Sequence, residues 1–257
     1  MRSFIAFTKK ELTEHIRSGK LTLFGIIFLL IGVMNPAIAK LTPWMYELLA
    51  DSLAGTGIEI TNVTVTAMDS WVQFYKNIPM GLIAFVIIES SIFTKEYSSG
   101  TLTLALTKGL ARYKVVASKG AVLLSLWTIC YFLSYVVTYL YNSFYWDNSI
   151  AKNLSFSALC YWIFGIFALS LVIFFSSIAN TNSGVLIGCG GVIFGSFLVS
   201  LIPKVNKYLP TLLSDGVSLI YGTEGVKFYT PSLIITSVLI IIAISATIPL
   251  FNKKQLR

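Results

Sequence analysis

Nucleophilic or metal chemistry in this 257-residue chain would have to use its one histidine, His15, or its three cysteines, Cys130, Cys160 and Cys189. Their spacing builds neither site. A zinc centre or a catalytic base needs partner groups beside the histidine, and none is in reach along the sequence. The cysteines are scattered through long apolar runs with no CxxC pair, so they read as reduced, packed thiols that behave as small hydrophobes. His15 reads as a solvated residue on a charged N-terminal stretch.

Glu89 is the one ionisable side chain inside an apolar run. In hydrocarbon an ionised carboxylate is costly unless paired or wetted. It therefore either snorkels or hydrogen-bonds to Ser90, Ser91 or Lys95 near the interface, or serves a pore or a gating step. The glycine-rich run GVLIGCGGVIFGSFLVSLI at 184–202 lacks the GKS or GKT ending of a phosphate loop. Its pairs Gly184/Gly188 and Gly191/Gly195 are small-xxx-small steps that let helices approach closely, within a bundle or across a symmetric dimer. The chain is thus expected to bind no metal or cofactor and to hydrolyse no nucleotide by itself. An intramembrane enzyme would need paired polar groups at matching depth, and only Glu89 is offered.

The elements that position these residues follow from composition. Hydrophobic residues make up 56% of the chain and charged ones 12%, with a mean hydropathy of +0.79. Soluble domains carry about 25% charged residues, so this chain cannot clothe a water-facing surface. A hydrocarbon core about 30 Å thick needs about 20 apolar residues in a helix. Six runs qualify, at 21–39, 77–94, 120–141, 154–178, 184–202 and 231–251, which predicts an all-α polytopic membrane protein of one domain spanning 1–257.

Six crossings put both termini on one side. That side holds 13 of the 19 basic residues, in 1–20, 95–119 and the tail Lys253, Lys254 and Arg257. With Glu11, Glu14 and Glu96 it nets +10. The other side, with acids Glu47, Asp51, Glu59, Asp69, Asp147, Asp215 and Glu224, nets −1. The positive-inside rule makes the termini cytoplasmic, and anionic inner-leaflet lipid accounts for the formal +8 without nucleic acid. No cleavage site follows the first run, so it does not read as a signal peptide. Few arginines beside many lysines and isoleucines fit an AT-rich bacterium.

Residues 1–20 form an amphipathic interfacial helix with Ile5, Thr8, Leu12 and Ile16 on one face. Trp44, Trp71, Trp146, Tyr75, Tyr145, Phe228 and Tyr229 fall where spans meet the outer surface. They form an aromatic belt or admit an amphipathic substrate from the side. Residues 95–119 present Leu102, Leu104, Leu106 and Leu110 to the cytoplasm after a break at Gly100. Such a surface wants a protein partner or the bilayer interface. Residues 177–183 form a short uncharged cytoplasmic loop, and 203–230 an outer segment apolar enough to dip back into the membrane.

In this order the segments resemble the permease subunit of the type-2 family of ATP-binding-cassette exporters, over nearly the whole chain. The most specific stretch is Glu96-x-x-x-Gly100-Thr101-Leu102, followed by Leu104, Leu106, Arg112 and Lys119-Gly120; the 1–20 segment is similar to the family's elbow helix. Gly109 stands where that family commonly has proline, and the lysine precedes Gly120 where the family has it following. The resemblance implies that residues 96–112 form a coupling helix docking on a separate ATPase, with 177–183 as a smaller contact. It implies two ATPase copies that bind ATP and Mg, a second permease copy or homologue, and a substrate path between the two bundles. Spans one, two and five contribute to that path, and 203–230 forms re-entrant outer helices. Small outer loops are similar to those of bacterial exporters of antimicrobial or amphipathic peptides, including phenol-soluble modulin and lantibiotic-immunity types. A nucleotide-independent immunity or channel protein is the alternative.

Overall fold

A computed structural model describes residues 2–53, 64–107 and 109–254, and among them no strand occurs. Glu59, Lys108 and Arg257, counted in the charge census, lie outside the described residues. In chain order the helices are α1 (Arg2–Arg17), α2 (Lys20–Leu53), α3 (Ala67–Glu89), α4 (Thr94–Ser99), α5 (Thr101–Thr107) and α6 (Arg112–Tyr145). They are followed by α7 (Leu154–Ile178), α8 (Asn182–Ser200), α9 (Pro203–Asn206), α10 (Gly216–Tyr221) and α11 (Val226–Lys253), with short 3-10 turns at Asn148–Ile150 and Pro210–Ser214.

Among the described residues six segments are long and apolar enough to cross a membrane, and each contains or overlaps one of the six expected runs. The helices outrun the apolar stretches. α2 continues past Lys40 because a charge ends hydrophobicity, not helical geometry, and α6 begins at Arg112, inside what the sequence read as loop.

α7 is the most buried of the six. α2 lies parallel to α6 and antiparallel to α3. A stack of aromatic rings holds the centre: Phe28 packs edge-on to Trp127, with centroids 5.9 Å apart, and Trp127 stacks on Tyr131 at 5.5 Å, which stacks on Tyr161 at 5.8 Å. Gly165 makes room for this stack, because a Cβ there would lie 2.2 Å from the Trp127 ring.

Pro36 sits inside α2 and has no N–H to give the carbonyl four residues back. That carbonyl, Gly32 O, instead accepts the Thr138 hydroxyl of α6 at 3.0 Å. The same threonine oxygen is 3.4 Å from Asn35 Nδ2, and the Asn35 carbonyl oxygen accepts Asn77 Nδ2 at 2.9 Å. One buried polar knot thus joins α2, α3 and α6, as satisfied polar groups in hydrocarbon must.

The expected outer aromatic belt is corrected in part. Trp71, Tyr75 and Tyr229 are buried in protein, while Trp44 and Tyr145 are exposed. Their polar tips explain the difference: Trp71 Nε1 donates to Asn148 Oδ1 at 2.8 Å and the Tyr229 hydroxyl to Asp215 O at 3.0 Å. Residues 203–230 fold back on the bundle, burying Leu212, Leu213, Leu219 and Ile220. Gly216 permits that approach, since a Cβ there would meet the Tyr75 ring at 2.2 Å.

Candidate functional site

α1, the end of α11, α4, α5 and the α7–α8 connection meet at one end of the bundle. α4 follows α3 after a tight turn in which Ile92 N donates to Glu89 O at 3.0 Å. Gly100, at φ +67°, ends α4 and reverses the chain into α5. Gly109, at φ +87°, closes α5. The left-handed region is open to glycine and closed to proline, whose ring fixes φ near −65°. The turn here therefore differs in geometry from one closed by proline.

The face of α1 that points inward is polar. Ile5, Leu12 and Ile16 are exposed, as a lipid-facing stripe would be, while Glu11 and His15 are buried against the bundle. Sequence periodicity identifies the apolar stripe, but the opposite face meets protein where water was expected. His15 is accordingly not solvated.

Two linked charge clusters result. In the first, Lys119 Nζ of α6 lies 2.8 Å from Glu11 Oε2 and 3.0 Å from Glu96 Oε2. Lys10 also bridges these two carboxylates, 3.0 Å from Glu11 Oε1 and in direct contact with Glu96 Oε1. Charges alternate around this ring of four, tying α1, α4 and α6. The rings of Phe93 and Phe7 flank Lys119 Nζ at 5.4 and 5.8 Å, adding cation–π attraction. Glu14 extends the ring outward to Lys10 at 3.1 Å and to Lys95 at 3.3 Å.

Lys10 is held well above the usual ammonium range. Burial, the largest influence, works against its charge, and the Glu96 and Glu11 carboxylates outweigh it. Glu14 is lowered: burial opposes its ionisation, and Lys10 and Lys95 prevail.

In the second cluster Glu89 accepts from His15 Nε2 at 3.2 Å and from Lys20 Nζ at 3.2 Å. Its expected partners are corrected: Ser90 and Ser91 turn to carbonyls of Ile87 and Ile88, and Lys95 turns to Glu14. The other imidazole nitrogen, Nδ1, lies 2.9 Å from Glu11 O. Beside an ionised Glu89 and a carbonyl, both of them acceptors, the arrangement suits the imidazolium form, in which both ring nitrogens donate. Burial pushes the His15 pKa down, and the Glu89 carboxylate with the Glu11 carbonyl raises it above the ordinary value on balance.

Of the residues the sequence marked for coupling, Glu96 and Leu102 are buried, Leu106 is half-buried against the core, and Gly100, Thr101 and Leu104 are exposed. Leu104 is the large apolar side chain that α5 leaves open. Arg112 turns away from this surface: its guanidinium donates to the carbonyls of Phe251, Asn252 and Lys254, capping the end of α11. Lys254 in turn donates to Ala179 O at 2.7 Å, at the end of α7. The 177–183 loop meets α4 through Asn182, which contacts Thr94, and the Tyr97 hydroxyl donates to Ser176 O at 3.0 Å in the last turn of α7. Apart from Lys10 with Glu11 and Glu14, the pairing partners lie dozens of residues apart in sequence, so periodicity within α1 or α6 could not reveal them.

The glycines of α8 divide. At Gly188 a Cβ would lie 2.4 Å from the Phe175 ring of α7, whereas Gly191 and Gly195 face open space. Beside them an apolar cleft of about 370 Å³ runs between α3, α7 and α8, lined by Ile83, Ile87, Phe164, Ile193, Phe194 and Phe197. Cys130, Cys160 and Cys189 are buried and unbridged.

A family model described as ABC-2 family transporter protein matches residues 5–256. No curated protein matches the chain.

Proposed function

This chain belongs to the ABC-2 transporter family, and on that premise we propose that it is the permease subunit of an ATP-driven exporter whose energy enters through α4 and α5. The family is one of membrane permeases that work with a separate ABC ATPase. In our reading two ATPase copies bind ATP and Mg and dock on the exposed side of α5 around Leu104. Two permease copies enclose the path. The end bearing the termini faces the cytoplasm, as the basic excess favours.

The observation that carries this reading is the ring of Lys10, Glu11, Glu96 and Lys119. A displacement of α4 alone is opposed, because it would pull Glu96 from Lys119 and leave both charges buried without their partners. A push on α5 is therefore delivered to α1 and to the long α6 as rigid-body motion. The cargo is hydrophobic or amphipathic, antimicrobial peptides included, in keeping with the apolar α3–α8 cleft and the open glycine face of α8.

The test uses the chain reconstituted with an ABC ATPase that co-purifies with it. Leu104→Asp is expected to abolish co-purification with the ATPase and efflux of amphipathic peptides while leaving the permease folded. Undiminished efflux from that variant, or efflux that persists without the ATPase, would overturn the proposal and favour a nucleotide-independent channel.

A further inference from the structure

At the opposite end of the bundle, the last turns of α6 and the start of α7 enclose a cup of about 410 Å³. Its wall carries the rings of Tyr135, Tyr139 and Trp146, and its rim carries the carboxylate of Asp147. Among the described residues no lysine or arginine lines it.

The cup is built from fixed parts. Asn148 Oδ1 accepts Trp71 Nε1 at 2.8 Å, and Asn148 Nδ2 donates to Ser143 Oγ at 2.8 Å and to Tyr139 O at 3.2 Å. One side chain thus pins the 3-10 turn to α3 and α6. Trp71, buried behind the wall, backs Tyr135 with centroids 5.2 Å apart, and Tyr135 stacks on Tyr139 at 6.4 Å. Asp147 is oriented by Ser149, whose backbone N–H donates to it at 2.9 Å and whose hydroxyl also donates to it.

Rings that only anchor a helix in headgroups need no shared concavity and no carboxylate. Here three aromatic side chains and one anion border a single space. Aromatic faces and a carboxylate attract the same ligand, a cation whose weak hydration lets it leave water. We propose that the cup of Tyr135, Tyr139, Trp146 and Asp147 binds an alkylammonium cation, such as the trimethylammonium group of choline. The site stands on its own geometry and does not depend on the coupling reading, since its ligand binds without ATPase or ATP.

The experiment is equilibrium dialysis of labelled choline against the full chain in nanodiscs of phosphatidylglycerol. Tetramethylammonium is expected to displace choline, and 3,3-dimethyl-1-butanol, the neutral isostere, is not. Tyr139→Phe keeps the ring and should bind within about twofold of the parent, whereas Tyr139→Leu and Asp147→Asn should each weaken binding roughly tenfold. Nanodiscs containing phosphatidylcholine distinguish the source: suppressed choline uptake identifies the lipid headgroup as occupant, and unchanged uptake identifies a free cation. Equal displacement by the neutral isostere, or parental affinity in a Tyr139→Leu variant that elutes as the folded parent does, would overturn the assignment.

Discussion

Replacing Lys119 by Met keeps most of the apolar stem and removes the charge that two carboxylates share. Each pair is close: at 2.8 and 3.0 Å, and an effective dielectric constant of about 20, the gross attraction is about 6 kcal/mol apiece. Most of that is offset by the water these groups give up on burial. What remains after truncating one partner of a buried pair is a net loss of about 3–5 kcal/mol. Lys10 cannot compensate fully, because its side chain is 44% exposed whereas Lys119 is 2% exposed, so it works in a higher dielectric. Reversible unfolding in mixed detergent–SDS micelles measures the loss. A cycle with Glu96→Gln isolates the pair: once Glu96 is neutral, removing Lys119 should cost less by at least about 1 kcal/mol. A single-variant loss below about 1 kcal/mol, or strict additivity in the cycle, would refute the claim that α1, α4 and α6 are joined through this ring.

The His15–Glu89 pair predicts a pH dependence. The imidazole faces Glu89 and Lys20, and its value in the fold is raised; its stabilisation is therefore complete below about pH 6.5, the unfolded value, and is lost as pH rises through the folded one. His15→Gln should flatten that decline in an unfolding series across pH 6–9. The α8 glycines make a paired test. Gly188→Leu should destabilise the single chain, because its Cβ alone would sit 2.4 Å from Phe175. Gly191→Leu should leave the single chain intact and, if this face meets a second copy as the small-xxx-small spacing suggests, weaken self-association measured by cross-linking; unchanged self-association would exclude the face from a dimer contact.

The spans were legible in the sequence because hydrocarbon imposes a length on every apolar run, and each of the six runs coincides with or overlaps an observed membrane-length segment. Helix ends were less so: α2 runs through Lys40 and two prolines, since neither a charge nor a proline in a membrane helix ends it when neighbours satisfy the freed backbone groups. On α1 the periodicity of Ile5, Leu12 and Ile16 identified the stripe that faces out. It was silent about what the other stripe touches. Glu11, His15, Glu89, Glu96 and Lys119 come from four separate segments, and their meeting is a product of tertiary packing. The buried state of Leu102 beside exposed Leu104 likewise depends on how α5 lies on the bundle, which a seven-residue helix does not encode alone.

The bond that Pro36 denies to α2 is lent by α6 through Thr138. A borrowed bond behaves as a clutch. While α2 and α6 are engaged, α2 transmits force as one stiff rod. If they part by more than a hydrogen bond's reach, Gly32 O loses its donor and the rod acquires a joint at mid-length. Stiffness in this helix is thus a property of the pair rather than of its own sequence, and a motion that begins at the charged end can alter how the far half of α2 follows without touching it.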